Sequence, residues 1–545
     1  MSQVQNKINQ ALQLHRAGQV LDAIKVYEEV LPSQQGNAHL FYLLGTAYVG
    51  VNRTIDAEKA LKQSIGLDKR NADAHYNLGI LLAGLKRFDE ALACYDKALG
   101  INPNHAPAYT NRGVVLENLN RRDEALTSYD AAIRIDPNLA ETYWNKSLLL
   151  ILIGEFRKGW ELYEWGWKAK NRTPERNYSR QLLPDSQCPK NALFFIYPEQ
   201  GLGDTIQFCR YVKRMANQGA RVVFEVPPVL HSLISSLDPR ITVISSGDAI
   251  PDFDYQSPLL SLPWVFKTEV ETIPSERSYL SIPEPKKTEW SRRLGPKKKP
   301  RVGLVWSGGT VHKNDVNRSV RLEEILPLLH PSIEWHSLQK DYRSRDLELL
   351  NRHSEIHQHQ DHLNDFTDTG ALIEEMDLVI SVDTSVAHLA GALGKPLWML
   401  LSYVPDSRWL LDRDDTPWYP SATLYRQDES REWPSVIDRV GRDLGALFRS
   451  DAKCPVCGGH SMHLDLLNLN KSCEELRGTF LPPTRKKSVT NNASRVGMFL
   501  RLKSVGGRMI CYVPNYLRLP RHFDSGIFKG IFSHTPLTIA RKRQA

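Results

Sequence analysis

The 545-residue chain is longer than one hydrophobic core usually organises, so two or three domains are expected. Its longest strongly apolar run, Leu148 to Ile153, is far short of the roughly 20 residues a membrane helix needs, so no membrane span is expected. The formal charge of +8 is uneven: residues 481–545 contribute +12 and the first 480 residues sum to −4, which gives no reason to expect nucleic acid at the main body. The N-terminal stretch MSQVQNKINQALQLHRAG is polar and amphipathic, without the apolar segment and cleavage site of a secretory signal, and points to a cytoplasmic location. Seven scattered cysteines make a disulfide framework an unexpected solution.

Aligned against itself at a period of 34, the first third of the chain places Gly45, Gly79 and Gly113 in one column. A second column holds Ala23, Ala57, Ala91 and Ala125, a third Tyr27, Leu61, Tyr95, Tyr129 and Tyr163, and a fourth Pro103 and Pro137. Small residues let paired helices of one repeat approach, the large residue is expected to fill the gap to the next repeat, and proline ends the second helix. The pattern resembles the tetratricopeptide repeat, with five repeats near 4–37, 38–71, 72–105, 106–139 and 140–173. The last is rich in tryptophan (Trp144, Trp160, Trp165, Trp167) and reads as a docking surface. An all-α superhelix over residues 1–173 is expected, its groove holding a protein or peptide; a spacer or dimerisation arm is the plainer reading.

From residue 190 the texture changes to short apolar runs alternating with helical stretches, as in parallel α/β units. Ala192 to Tyr197 reads as a buried strand, followed by PEQGLGD, an amphipathic helix and the strand RVVFEV. A second series opens with the strand at Arg301 to Trp306 and the loop SGGTVHKNDVNRSVR. Two Rossmann-like halves are therefore expected, 190–285 and 300–450, with a cleft between them. Ligands of such sheets sit beyond the carboxyl ends of the strands, where helix N-termini present free amides.

Both conspicuous loops take that position. In the first, Gly201 and Gly203 allow close approach, and Asp204 is either a helix N-cap or a general base for an acceptor hydroxyl. In the second, the strand Asp377 to Asp383 runs into TSVAHLAGALGKP, a helix opening at Thr384 or Ser385. His388, four residues after Thr384, shares its helix face and is a candidate phosphate ligand.

The pair GLGD at 201–204 and DTSVAHLAGALGKP at 383–396 resembles the heptosyltransferase-type (family 9) glycosyltransferases of the GT-B fold, over about 190–450. The fusion to a repeat array is similar to bacterial relatives of protein O-linked glycosyltransferases. The resemblance implies an all-α superhelix followed by an α/β GT-B-like body that moves a hexosyl or heptosyl group from a nucleotide-sugar, without metal or other cofactor. It implies Asp204 as the base and Asp383, Thr384, Ser385 and His388 as the segment binding the donor's diphosphate. Ser385 stands where heptosyltransferases usually carry glycine. Lys313, Arg318, Arg321 and Arg408 are further phosphate or acceptor contacts, or solvated surface. Arg408, Trp409 and Trp418 either line the cleft or pack between the halves. The pairs Asp252/Asp254 and Asp412/Asp414 follow no strand of a nucleotide-binding unit and read as accidental. The competing reading is a non-catalytic adaptor with a degenerate GT-B body, and a third is an epimerase of the same shape.

Residues 451–545 form a basic tail. CPVCGGH at 454–460 with NKSCEELRGTFLP looks like the opening of a methyltransferase module with a zinc knuckle. Cys454 and Cys457 are its zinc candidates, but four ligands are required and no second C-x-x-C follows, so zinc is not expected. Beyond 481 the tail reads as a truncated remnant, largely without structure.

Overall fold

The computed structural model describes residues 3–172, 176, 178, 179, 192–310 and 314–448 in full, and 501–505, 508–512 and 538–539 as strands. Lys313, Cys454 and Cys457 lie outside the described residues. Two compact units divide near residue 467. In the smaller one, Arg501–Val505 pairs antiparallel with Arg508–Tyr512, which Thr538–Ile539 joins in parallel.

The larger unit begins with five helix pairs: α1 (Gln3–Arg16) with α2 (Val20–Val30), α3 (Ala38–Gly50) with α4 (Thr54–Leu67), α5 (Ala72–Gly84) with α6 (Phe88–Ile101), α7 (Ala106–Asn118) with α8 (Arg122–Ile135), and α9 (Ala140–Leu152) with α10 (Phe156–Tyr163). Asn37 and Asn71 cap their helices by accepting from the amides of Leu40 and Ala74, and His105 does the same for Ala108 through Nδ1. The period extends to backbone conformation: Gly18, Asn52, Lys86, Asn120 and Gly154, each 34 residues apart, all take positive φ in the turn between paired helices. Glycine is demanded by space in the other column. A Cβ on Gly79 would lie 2.6 Å from Tyr95, and one on Gly113 2.5 Å from Tyr129.

The α/β body carries two all-parallel sheets. The first has β1 (Leu193–Tyr197), β2 (Arg221–Val226), β3 (Ile241–Ser245) and β4 (Tyr255–Pro258) in the order β3-β2-β1-β4. The second has β5 (Arg301–Val305), β6 (Glu334–Ser337), β7 (Ile356–His357), β8 (Leu378–Val382), β9 (Leu397–Leu401) and β10 (Ala422–Arg426) in the order β10-β9-β8-β5-β6-β7. Helix α11 (Leu202–Asn217) follows β1. The longer helices after it are α12 (Glu284–Leu294), α13 (Ser344–Arg352), α14 (Phe366–Glu374), α15 (Ser385–Ala392) and α16 (Pro434–Phe448). In the second sheet the chain runs outward through β6 and β7, then returns to β8 on the other side of β5. The order thus switches between β5 and β8, the place where doubly wound sheets open a crevice.

One apolar core runs through three parts of the unit: Phe156, Trp160 and Tyr163 of the fifth helix pair, Phe194, Phe208 and Tyr211 of the first half, and Val305, Leu389, Met399 and Trp418 of the second. Trp160 meets Phe208 edge-on at 5.8 Å, and Phe156 stacks with Trp418 at 6.1 Å. The tryptophan-rich repeat is where the array joins the body. A buried ion network reinforces the join. Arg172, sandwiched against the rings of Tyr163 and Trp167, donates to Glu199 (2.7 Å), Glu164 (2.8 Å) and Ser261 (2.9 Å). Glu199 also accepts from the amides of Leu259 and Leu260 at the end of β4. The loop after β1 is thereby anchored to the array on one side and to β4 on the other.

Two predictions follow from these contacts. Alanine gains up to about 1 kcal/mol over glycine in an open helix position, while overpacking costs about 1–3 kcal/mol. Gly100→Ala in α6, where nothing lies within 4 Å of the added Cβ, should raise the thermal midpoint, and Gly113→Ala should lower it. Arg172→Met strands the buried Glu199 carboxylate, a loss of about 3–5 kcal/mol by analogy with broken buried pairs. Adding Glu199→Gln should recover part of that loss in urea unfolding.

Candidate functional site

Helices α11 and α15 pack with their first turns together, which brings the carboxyl end of β1 against that of β8. Gly203 makes this possible: a Cβ there would lie 2.7 Å from Cδ2 of His388 and 3.4 Å from Cα of Ser385. Its small size serves the approach of one helix to the other. Gly201 occupies the N-cap of α11, and its amide donates to Oδ2 of Asp204 at 3.0 Å. Asp204 is thus a third-position residue that bonds back to the cap. Its other oxygen, Oδ1, accepts from Nη2 of Arg408 at 2.7 Å, an ion pair between the two halves whose side chains are each 17% exposed.

Arg408 belongs to the short 3-10 turn Ser407–Trp409, beyond β9. The turn is started by Asp406, which accepts from the Arg408 amide (3.1 Å) and from its Nε (2.8 Å). Arg408 Nη1 donates to Oε1 of Gln207 on α11 at 2.7 Å and lies 3.4 Å from Nε2 of His388. The same turn packs against α9 of the array, and Leu411 beyond it joins the array's own core.

His388 is buried, its Nδ1 2.8 Å from the Tyr419 hydroxyl and its ring stacked at 5.5 Å on Trp409. Tyr419 reaches it because Gly391 leaves room: a Cβ there would lie 2.4 Å from the tyrosine ring. Burial pushes the His388 pKa down, against the raising pull of Asp383, so the ring is neutral near pH 7. Nε2 lies between Arg408 Nη1 at 3.4 Å and Asp383 Oδ1 at 3.6 Å, while Nδ1 faces Tyr419. Burial would raise the Asp383 carboxyl, but the His388 ring, the Arg408 charge and the Trp409 N–H together hold it well below the usual carboxylate range. Asp383 Oδ2 accepts from Trp409 Nε1 at 2.9 Å, and Oδ1 lies 3.6 Å from His388 Nε2.

Thr384 stands at the N-cap of α15 without its side chain bonding the first-turn amides; its hydroxyl is 3.3 Å from that of Ser381. Thr384 and Ser385 are half-buried. Arg318 reaches the same helix end, donating through Nη1 to the carbonyl of Asp383 at 2.9 Å. Gly308 in the loop after β5 gives it space, since a Cβ there would lie 2.4 Å from Arg318 Nη2. This helix N-terminus, two hydroxyls and a guanidinium are groups that can donate to an anion.

The structure therefore draws Gly201, Gly203, Asp204, Asp383, Thr384, Ser385, His388, Arg318 and Arg408 into one locale. Arg321 stands apart: it is exposed and paired with Glu324 at 3.2 Å. Trp418 is buried in the shared core, while Trp409 contacts the polar cluster. Asp254 bonds the Leu193 amide at the start of β1, away from the cluster. Among the described residues, no group of three or more His, Cys, Asp or Glu side chains is placed to hold a metal ion, and no helix is long and apolar enough to cross a membrane. Sequence reading missed Gln207, Asp406 and Tyr419. Only Asp406 carried a signal, as an acidic residue two places before Arg408 in a turn.

A tetratricopeptide repeat model matches residues 72–105 and 106–139, the third and fourth helix pairs. The model of glycosyltransferase family 9 (heptosyltransferase) matches 364–435, the stretch that holds β8, α15, β9, Arg408 and β10. Protein FlbA of Caulobacter vibrioides (strain ATCC 19089 / CIP 103742 / CB 15) is 24% identical over 323 residues, 54% of this chain and 53% of FlbA, so the chain spans about half the length of the curated relative it matches. Among solved structures, MamA is 24% identical over 30% of this chain and 94% of its own, with a TM-score of 0.28. YrrB, a tetratricopeptide protein described as having an unusual peptide-binding site, is 23% identical over 30% of this chain and 90% of its own, with a TM-score of 0.27. The chain joins tetratricopeptide repeats to a glycosyltransferase family 9 domain.

Proposed function

We propose that the body transfers a sugar from a nucleotide-sugar donor to an acceptor hydroxyl, in a GT-B arrangement, and that the acceptor is a protein held by the repeat array. The observation that carries this reading is the single hydrogen-bonded cluster formed by Asp204 of the first half and the α15 N-terminus of the second, joined through Arg408. An acceptor-side carboxylate and a donor-side anion site, one from each half, are the two groups that glycosyl transfer requires.

In this reading the donor's diphosphate lies at the first turn of α15, against its amides, the Thr384 and Ser385 hydroxyls and the Arg318 guanidinium. The acceptor oxygen forms a bond to the anomeric carbon as the carbon–oxygen bond to phosphate breaks. The nucleoside diphosphate leaves with the electron pair, and the acceptor proton passes to the Asp204 carboxylate. Negative charge grows on the departing phosphate, which the oriented amides and Arg318 stabilise without reorganising. Asp383, ionised and turned toward Trp409 and His388, serves as the group that orients these rings. An exposed carboxylate there would repel the phosphates.

The array's fifth pair packs on the turn that carries Arg408, so a polypeptide on the array is presented close to the cluster. That proximity supports a protein acceptor by raising its local concentration.

The full chain, screened by thermal shift against UDP-, GDP-, ADP- and CMP-sugars, should be stabilised by one of them, by about 2.7 kcal/mol at 100 times the dissociation constant. The shift should weaken in Arg318→Gln, which removes a guanidinium from the proposed diphosphate site. No shift with any nucleotide would favour a non-catalytic adaptor. With the donor in hand, Asp204→Asn should slow single-turnover transfer by about 10²–10⁴-fold, the usual worth of a general base. Transfer at the normal rate would remove Asp204 from that role.

A further inference from the structure

Arg408 is the most shared side chain in the cluster. Its Nε–H is used by Asp406, its Nη2 by Asp204, and its Nη1 by Gln207 and His388. These partners come from both halves: Asp204 and Gln207 from α11, His388 from α15, and Asp406 from the turn itself. The side chain is 17% exposed, so part of it can be reached from solvent. The turn that carries it is strained. Leu410 and Asp412 have φ of +54° and +53°, a region that a branched apolar side chain such as Leu410 rarely adopts. Residue 410 follows Trp409 directly, and Leu411 between the two strained positions is fixed on the array core. The turn is therefore held in an uncommon shape by contacts at both ends, with the guanidinium spanning the two halves.

We propose that Arg408 is a donor-responsive latch: it holds the acceptor-side carboxylate of Asp204 until an arriving diphosphate draws it to the α15 side and frees Asp204 to receive a proton. The inference rests on the donor site proposed above. While Asp204 Oδ1 is paired with the guanidinium, taking up a proton would break that ion pair, so the pairing opposes its use as a base. A diphosphate carries more charge than one carboxylate and matches the guanidinium fork in two bonds, so it competes for Arg408 on favourable terms. Arg408 acts through Asp204 and is a positioning residue for the transfer step. The order of events follows: donor binds first, and only then does the base become available.

The test is a double-mutant cycle read by calorimetric titration of the full-length protein with inorganic pyrophosphate. Asp204→Asn, which removes the charge competing for Arg408, should bind pyrophosphate about fivefold tighter than the wild type, the factor that about 1 kcal/mol of ion pairing supplies. In an Arg408→Gln background the same Asp204→Asn change should give no gain. If Arg408→Gln fails to fold, Arg408→Lys serves instead and should reduce the gain to less than half, since a point charge cannot bridge as the fork does. A gain from Asp204→Asn that persists undiminished without the arginine would mean simple loss of a negative charge and would overturn the latch while leaving the donor site intact. Absence of any gain would overturn it equally. If neither the wild type nor Asp204→Asn takes up pyrophosphate, the donor site itself is refuted and the latch falls with it.

Discussion

The polar cluster between the two halves depends on one apolar contact, the meeting of Phe156 and Trp160 from the array with Phe208 from the first half and Trp418 from the second. Helix ends cannot be brought to hydrogen-bonding distance by their own charges in water, because a surface ion pair is worth at most about 1 kcal/mol. A continuous close-packed core can do so, since it fixes backbones to within fractions of an ångström and resists small displacements. The Arg408–Asp204 bond is a consequence of that packing. So is the buried Arg172 network, whose ions are tolerable only because each has a partner already in place.

Inside the cluster, the balance of charge decides what the site can bind. Asp204, Asp383 and Asp406 bring three negative charges, and Arg408 and Arg318 bring two positive ones, with His388 neutral. Asp406 and Asp204 are spent on Arg408, and Asp383 points at the Trp409 N–H. Arg318 and the first-turn amides of α15 are thus the part of the cluster not answered by a carboxylate at hydrogen-bonding distance; Asp315 is 3.8 Å from Arg318. Donor groups therefore remain at that helix end although the acidic side chains nearby outnumber the basic ones.

The features legible in sequence were those set by local rules. The 34-residue period was visible because the helix pair repeats the same small-to-large packing, as at Gly79 with Tyr95 and Gly113 with Tyr129. The positions of Asp204 and of Asp383 to His388 were legible because a strand running into a helix places its junction at a known edge of the sheet. The column of left-handed residues at 18, 52, 86, 120 and 154 was hidden, since glycine, asparagine and lysine fill it without a common residue type. Partner choice was hidden as well. Nothing local to Trp409 and Trp418 shows that one bonds Asp383 while the other packs beneath the array, because that depends on which helix arrives from 200 residues away. Tyr419 was invisible for the same reason. Its position is dictated by the space left at Gly391, and its role by the ring it meets there.

Rigid attachment of the array changes what the repeats can contribute. A flexible tether of comparable length would raise the concentration of a bound polypeptide near the body but would leave its orientation free. Here the fifth helix pair shares the body's core, Lys86 donates to Asn317 at 2.6 Å, and Arg431 lies over the rings of Phe88 and Tyr403. The third, fourth and fifth helix pairs are each fixed to the body through one of these contacts or through Arg431 and Asn118. A segment lying along these repeats would therefore meet the cluster at a set angle as well as a set distance. An intramolecular reaction gains its advantage only when the bound geometry is close to that of attack, so in the proposed reading a rigid array selects which hydroxyl of a bound chain is presented, a selection that a tether cannot make.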